Sequence, residues 1–373
     1  MHKSGHPKTL SRRMLLQAGV KYSLLGFGIL ALPGCTYLSD GPGGSDSGLA
    51  AYAREKGRQY GAAVQSGQLA DDDDFASAVR REVNLLVPER ELKWDAIRPS
   101  PQRFDFTGYR KLAIFAQEND MAMRGHVLVW HYANPAWLRP ELARGNAEKI
   151  LHTHIKHVLA ETAPMIRNWD VVNEAIDIHS PREDGLRETL WLKALGPDYV
   201  AQAFQMAHDA DGDITLTYND YGMEQGDGDG SRKRQCILRL LEQCKRNNVP
   251  MHALGLQSHL LAHKPLAGRE FTDFLKEVRA LGLKVIITEL DLDTSQLQGR
   301  GDDRVKLAQR YVRTYLDQAQ KDGPVDMLLT WGLSDRYSWL RKKNPGMTGE
   351  LPLDRDLNHG PLWETLKKSW LIL

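Results

Sequence analysis

Cysteine is nearly absent from this chain, with three in 373 residues. So few exclude a disulfide framework and a cysteine-rich metal module. Cys236 and Cys244 share an apparent helix eight residues apart. That is about 12 Å by helical rise, beyond the ~7 Å a disulfide spans, so both read as packing residues. Charge of one sign is lacking as well. Lys and Arg number 49 against 48 Asp and Glu, a formal net charge of +1 that does not mark a nucleic-acid binder. The modestly apolar stretch Tyr22–Leu32 falls short of the ~20 residues a membrane-spanning helix needs. No glycine-rich phosphate loop follows the first apolar strand pattern, which argues against dinucleotide binding. Neither a repeat nor a second domain is visible.

What is present fits a soluble globular chain, with 42% hydrophobic and 26% charged residues. The first 35 residues stand apart. Lys3, Lys8, Arg12, Arg13 and Lys21 are basic, and no acid precedes Asp40. Ser11-Arg12-Arg13-Met14-Leu15-Leu16 resembles a twin-arginine export signal, and the short apolar stretch follows it. Leu32-Pro33-Gly34-Cys35 resembles a lipoprotein cleavage site, so Cys35 is a candidate lipid anchor, with simple cleavage nearby as the alternative. The expected product is periplasmic, membrane-anchored or secreted. Residues 36–50 read as a flexible linker, rich in Gly, Ser and Asp from Ser39 to Gly48. Residues 51–373 are then one catalytic domain. Removing the five basic residues leaves 44 against 48, a mildly acidic surface that suits a neutral polysaccharide. A monomer is expected.

From residue 55 onward, short apolar runs alternate with amphipathic stretches. The runs are Gly61–Val64, Asn84–Val87, Met123–His126, Trp169–Val172, Ile214–Asn219, Ala253–Ser258, Val285–Glu289 and Met327–Trp331. Helical patterns lie at Tyr109–Asn119, Ala147–Glu161, Thr189–His208, Ser231–Asn247, Arg269–Leu281 and Arg304–Lys321. Eight strands alternating with helices predict a single (β/α)8 TIM barrel. The acidic run Asp71–Asp74 reads as a helix start.

In such a barrel the chemistry gathers at the C-terminal strand ends. Those ends carry Pro88-Glu89-Arg90-Glu91-Leu92-Lys93-Trp94, Arg124-Gly125-His126 and Trp130-His131, Trp169-Asp170-Val171-Val172-Asn173-Glu174, Asn219-Asp220-Tyr221, Gln257-Ser258-His259, Thr288-Glu289-Leu290-Asp291, and Trp331-Gly332 with Ser338-Trp339. Apolar strands that end on charge by chance would bury unpaired groups at a cost of several kcal/mol each. Aromatic faces beside carboxylates and amides suit a sugar, with its C–H faces and hydroxyls. Cleaving a glycosidic bond needs two carboxyl groups in different protonation states, and Glu174 and Glu289 are placed for that. A gap of about 5–5.5 Å serves retention and about 6.5–9.5 Å inversion.

Other groups read as structural. His126, His131 and His259 lack HExxH spacing, so no metal is expected. His152, His154 and His157 read as a solvated helix face, and Gly226–Gly230 as a flexible surface loop lacking a twelve-residue calcium pattern. Trp137 and Trp169 read as core.

Together these strand-end motifs resemble glycoside hydrolase family 10, mainly endo-β-1,4-xylanases, over roughly residues 55–370. The resemblance implies a retaining mechanism without cofactor, acting on a polysaccharide or oligosaccharide. Glu174 matches the acid/base and Glu289 the nucleophile. Asn173 matches the residue that binds the 2-hydroxyl. His259 matches the histidine orienting the nucleophile, itself held by Asp291. Lys93, His126 and Gln257 match the lining of the reacting subsite (−1), with Trp331 and Trp339 as its aromatic floor and lid, and Trp130 is a further substrate-binding candidate that also reads in part as core packing. Glu89 matches a contact in subsite −2, and Tyr221 lies on the leaving-group side. Arg90 and Ala133 depart from the family's usual asparagine and glutamine in subsite −2. One reading has Arg90 meeting an acidic sugar. The other pairs it with Glu89 or Glu91 at the rim. A relative acting on another β-linked glycan and a silent carbohydrate-binding barrel are the competing functions.

Overall fold

The computed structural model describes residues 47–342 and 344–371. The export segment, Cys35 and most of the linker lie outside the described residues. The first described helix begins inside the stretch expected to be linker. A helix spans Leu49–Glu55, and the Leu49 N–H donates to Glu82 Oε2 at 3.0 Å. Glu82 is wholly buried, and Arg81, His359 and Trp363 also hydrogen-bond it.

Nine strand segments form one parallel sheet that closes as an eight-stranded (β/α)8 barrel. They are β1 (Gln59–Val64), β2 (Leu85–Pro88), β3 (Ala122–Val129), β4 (Ile166–Asn173), β5 (Thr215–Asp220), β6 (Ala253–Leu256), β7 (His259–Leu261), β8 (Lys284–Asp293) and β9 (Met327–Thr330). Pairing runs in chain order from β1 to β6, β6 closes onto β8 with β7 added alongside it, and β9 completes the ring with β1. The strands are buried along almost their whole length, as expected when helices cover a parallel barrel. All eight expected apolar runs are barrel strands.

The sixth run differs from expectation. It is two pieces, β6 and β7, separated by Gln257 and Ser258, with Ser258 at φ +61°. Both pieces pair with β8, Leu256 opposite Ile287 and His259 opposite Asp291. The kink satisfies the strand backbone on either side and frees the Gln257 and His259 side chains for the barrel mouth.

Three helical readings are corrected by packing. The Thr189–His208 pattern is two helices, Leu190–Leu195 and Tyr199–Ala210, because Gly196 takes φ +78° and Pro197 has no N–H to continue the ladder. The glycine stretch 226–230 starts the Gly228–Arg246 helix, with the Asp227 side chain accepting from the Gly230 N–H at 2.9 Å. In the Ala147–Thr162 helix, His152 and His157 are exposed but His154 is buried, stacked on Trp94 with ring centroids 3.5 Å apart. It lies four residues from Ile150 and Val158 on the inward stripe, and burial pushes its pKa well down, so the ring packs as a neutral aromatic. The acidic run behaves as expected. Asp72 caps the Asp73–Glu82 helix at Phe75 N–H. Trp169 is wholly buried, Trp137 donates to the Arg98 carbonyl at 2.9 Å, and Cys236 and Cys244 are buried free thiols.

Candidate active site

The two glutamates sit at the mouth of the same barrel, linked by one amide network. Glu174 follows β4 at φ +57°, a left-handed backbone uncommon for a side chain of this size. Its N–H donates to the Asn219 carbonyl at 2.9 Å, which holds the turn. Three of the six non-glycine residues with positive φ among the described residues (Ala133, Glu174 and Ser258) stand at this mouth. Such concentration is characteristic of functional sites.

The side chains then connect in sequence. Gln257 Nε2 donates to Glu174 Oε1 and to Asn173 Oδ1, each at 3.0 Å. Asn173 Nδ2 donates to Glu174 Oε1 at 3.0 Å. Asn219 Nδ2 donates to Asn173 Oδ1 at 2.9 Å and to Glu289 Oε1 at 2.7 Å, and its Oδ1 accepts from Thr288 Oγ1 at 2.7 Å. Glu289 Oε2 lies 3.2 Å from His259 Nε2, and His259 Nδ1 lies 3.0 Å from Asp291 Oδ2. Trp339 Nε1 donates to that same Asp291 oxygen at 2.7 Å. The His259, Asp291, Gln257 and Asn173 readings therefore converge on the two carboxyl groups.

The electrostatics separate the pair. Burial pushes Glu174 above the usual carboxylate range, with Asp220 and Glu289 adding repulsion that the Gln257 hydrogen bond only partly offsets. Glu289 is also buried, but the His259 hydrogen bond and the His126 ring outweigh that, so its pKa falls. His259 is held well above its ordinary value, because Asp291 and Glu289 overcome the cost of burying a cation. A protonated ring donates from both nitrogens, to Asp291 and to Glu289.

A second buried cluster supports the first. Arg124 forks onto Asp170 with both bonds at 2.5 Å, and His126 Nδ1 lies 3.0 Å from Asp170 Oδ2 and 3.9 Å from Glu289 Oε1. His126, Asp170 and Glu289 have ligand atoms within 4.8 Å of one another, yet both Asp170 oxygens are taken by the guanidinium. Gly125 is needed between them, since an added Cβ would lie 2.2 Å from the Trp169 ring. Asn219, Asp170, Arg124 and His131, whose Nδ1 is 3.7 Å from Glu174 Oε2, were not assigned site roles from sequence. Their only signal was membership in the strand-end motifs.

The aromatic residues and the remaining candidates lie around these two carboxyl groups as follows. The ammonium of Lys93 sits 4.8 Å from the Trp130 ring and 5.5 Å from Trp331, in a buried position that lowers its pKa. Trp331 meets His126 edge-on at 5.1 Å, and Trp339 meets His259 at 5.4 Å. Burial raises Glu89, while Gln65 and Lys93 hold it partly down. Tyr221 is half-exposed. Its hydroxyl accepts from Arg187 Nη2 at 3.0 Å, and Arg187 Nε donates to the Glu174 carbonyl at 2.9 Å. The Arg90 backbone N–H donates to Glu91 Oε2 at 3.2 Å, but its guanidinium pairs with neither glutamate of its own segment. Its Nη2 donates to Asp95 Oδ2 at 3.0 Å, and the Asp95 N–H donates to the Ala133 carbonyl at 2.9 Å. The two departures from the family pattern thus meet at one aspartate.

The chain matches the family model for glycosyl hydrolase family 10 over residues 48–369. It is 31% identical to an endo-1,4-β-xylanase B of Thermotoga neapolitana, covering 80% of this chain and 84% of that one. It is 32% identical to a β-1,4-xylanase of Dictyoglomus thermophilum, covering 79% and 84%. Among solved structures, xylanase 10B of Thermotoga petrophila in complex with xylobiose superposes with a TM-score of 0.76 at 31% identity, covering 87% of this chain and 97% of that one. With a closed parallel barrel, two glutamates at its mouth and a family match spanning the described domain, this chain belongs to glycoside hydrolase family 10.

Proposed function

We propose that this chain is a retaining endo-β-1,4-xylanase. The observation that carries the reading is a raised carboxyl, Glu174, and a lowered carboxylate, Glu289, joined through Asn173, Gln257 and Asn219. Glu289 attacks the anomeric carbon as the glycosidic C–O bond breaks, and Glu174 gives its proton to the departing oxygen. A covalent glycosyl ester on Glu289 results. Glu174, now ionised, takes a proton from water, whose oxygen displaces Glu289 and restores both groups. Asn173 is placed to bind the sugar's 2-hydroxyl, a contact that strengthens as charge develops on the ring. His259 keeps Glu289 ionised and oriented. Lys93, His126 and Gln257 line the −1 sugar, against Trp130, Trp331 and Trp339.

The test is product stereochemistry on unbranched β-1,4-xylan, followed by NMR. The β-anomer should appear first and mutarotate later. An α-anomer released first would refute the double displacement. A wild type no faster than Glu289→Ala would favour the silent binding barrel. The pairing of Arg90 with Asp95 leaves less support for a relative specialised on another glycan, because that guanidinium is already engaged. Export through the twin-arginine-type segment, a lipid anchor at Cys35 and a monomeric state complete the proposal. Their support is the arrangement of residues 1–35 for the first two. Fractionation of Cys35→Ser against wild type tests the anchor, since a lipidated chain should leave the membrane fraction when that thiol is lost.

A further inference from the structure

The turn that carries Trp339 is held from two directions. Trp339 opens the short 3₁₀ helix Trp339–Lys342, and its indole Nε1 donates to Asp291 Oδ2 at 2.7 Å. Just before it, Ser338 Oγ accepts from the Leu340 N–H at 3.2 Å, which closes the turn, and donates to Glu350 Oε2. Glu350 is wholly buried, and its main chain is fixed on both sides. The Leu292 N–H donates to its carbonyl at 3.1 Å, and its own N–H donates to Asp335 Oδ1 at 3.1 Å. Asp335 also accepts from the N–H groups of Gly349 at 2.6 Å and Leu351 at 2.9 Å, so the segment around Glu350 is pinned. The bonds form a circuit. It leaves β8 at Leu292, passes through Glu350 and Ser338 to Trp339, and returns to β8 at Asp291.

A carboxyl is an expensive group to bury at that point. Glu350 Oε1 has no hydrogen-bond partner among the described residues. Burial pushes the Glu350 pKa up to about 7, and Asp335 and Asp291 add repulsion that the Ser338 hydrogen bond and the Arg341 charge only partly offset. A side chain that merely filled this space would be apolar, since that leaves no buried oxygen unpaired. What the carboxyl supplies, and an apolar group cannot, is a fixed acceptor for Ser338. In its neutral form it does so without burying a charge.

We propose that Glu350 is a positioning residue for the reacting subsite, fixing through Ser338 the turn that sets the Trp339 ring over the −1 sugar. Glu350 touches no substrate itself. The inference rests on the xylanase reading, which sets Trp339 against that sugar. Asp291 fixes the polar end of the indole. Ser338 and Glu350 fix the main chain from which the ring projects. The two anchors together set the plane of the ring, and an aromatic face packs well on the C–H face of a sugar only in the right plane. The ring meets the sugar in ground state and transition state alike, so losing its placement raises KM and spares kcat.

The experiment measures KM and kcat separately in the full chain with a soluble aryl β-xylobioside. Glu350→Ala should raise KM about tenfold, the scale of one buried hydrogen bond lost with its partner left unpaired. Its kcat should stay within about threefold of wild type. Ser338→Ala should raise KM in the same way, and it carries the same test if the Glu350→Ala chain does not fold. Glu350→Gln keeps an acceptor oxygen for Ser338 and should hold KM within about twofold of wild type. KM does not depend on the fraction of chains that are folded, so a purely structural role would lower kcat and leave KM in place. In a Trp339→Ala background, adding Glu350→Ala should change KM by less than about twofold, because the ring it places is gone. An equal rise in both backgrounds would overturn the proposal. So would an unmoved KM in Glu350→Ala and Ser338→Ala, or a Glu350→Gln chain as impaired as Glu350→Ala. Failure of the xylanase reading would show separately, as a wild type that leaves the aryl β-xylobioside uncut.

Discussion

Replacing Asp291 with asparagine should move one limb of the pH–rate profile and spare the other. Asp291 is 1% exposed, and its Oδ2 accepts from both His259 and Trp339. Its charge is what most opposes the burial cost of a protonated His259. Asparagine keeps the volume and removes the charge. The imidazolium loses a charge-assisted hydrogen bond worth about 1.5–3 kcal/mol, and its proton is released more easily. Glu289 then loses the cation that holds it ionised. At about 1.4 kcal/mol per pKa unit, the carboxyl should rise by about one to two units. The assay is kcat/KM against pH with a soluble aryl β-xylobioside. In wild type the acid limb reports ionisation of Glu289 and should lie below the ordinary carboxyl range. The basic limb reports loss of the Glu174 proton and should lie above it. In Asp291→Asn the acid limb should move up by about one to two units, with kcat/KM near neutrality down by about 10- to 100-fold. The basic limb should stay in place. An unmoved acid limb, or a shift confined to the basic limb, would refute the role given to His259.

Four further outcomes are expected. Glu289→Ala should lower kcat by about four orders of magnitude or more on aryl xylosides, because the covalent route is removed. Glu174→Ala should cost about 10²- to 10⁴-fold, most with the poorest leaving groups, which a series of phenol substituents would show. Arg124→Ala should destabilise the fold by about 3–5 kcal/mol in denaturant titration, since it strands the buried charge of Asp170. Burial pushes Glu224 up to about 7 from 4.5, so the fold favours its protonated form. That contribution is complete below about 4.5 and is lost as pH rises through about 7. Glu224→Gln should gain stability over wild type at pH 8 relative to pH 5, on the order of 3 kcal/mol at most, and equal differences at the two pH values would refute this.

Much of the architecture was legible along the chain. Each of the eight apolar runs is a barrel strand, because a parallel strand buried on both faces has to be continuously apolar. The misread segments are those where one local pattern satisfied two folds. Thr189–His208 kept helical periodicity across Gly196 and Pro197, and only the backbone at Gly196 shows the break. His154 looked like its exposed neighbours His152 and His157, but helical geometry turned it inward onto Trp94. Arg90 had Glu89 and Glu91 beside it in sequence, and Asp95 reaches it from the short helix Trp94–Ile97 that follows. Asn219 passed without a role because an asparagine at a strand end is ordinary until its neighbours are known.

By itself the sequence determined the alternation of strands and helices, the set of polar groups at the strand ends and the presence of two glutamates among them. Periodicity and strand-end chemistry are local properties, written in consecutive residues. Only the tertiary structure decided which of those groups meet. Asn219 bridges Asn173 to Glu289 because β4 pairs with β5 in a register that sets Asn173 beside Asn219, and His259 reaches Glu289 because β7 pairs with β8. The opposite protonation tendencies of the two carboxyl groups follow from those meetings. Burial and charged neighbours set them, and both arise when the barrel closes.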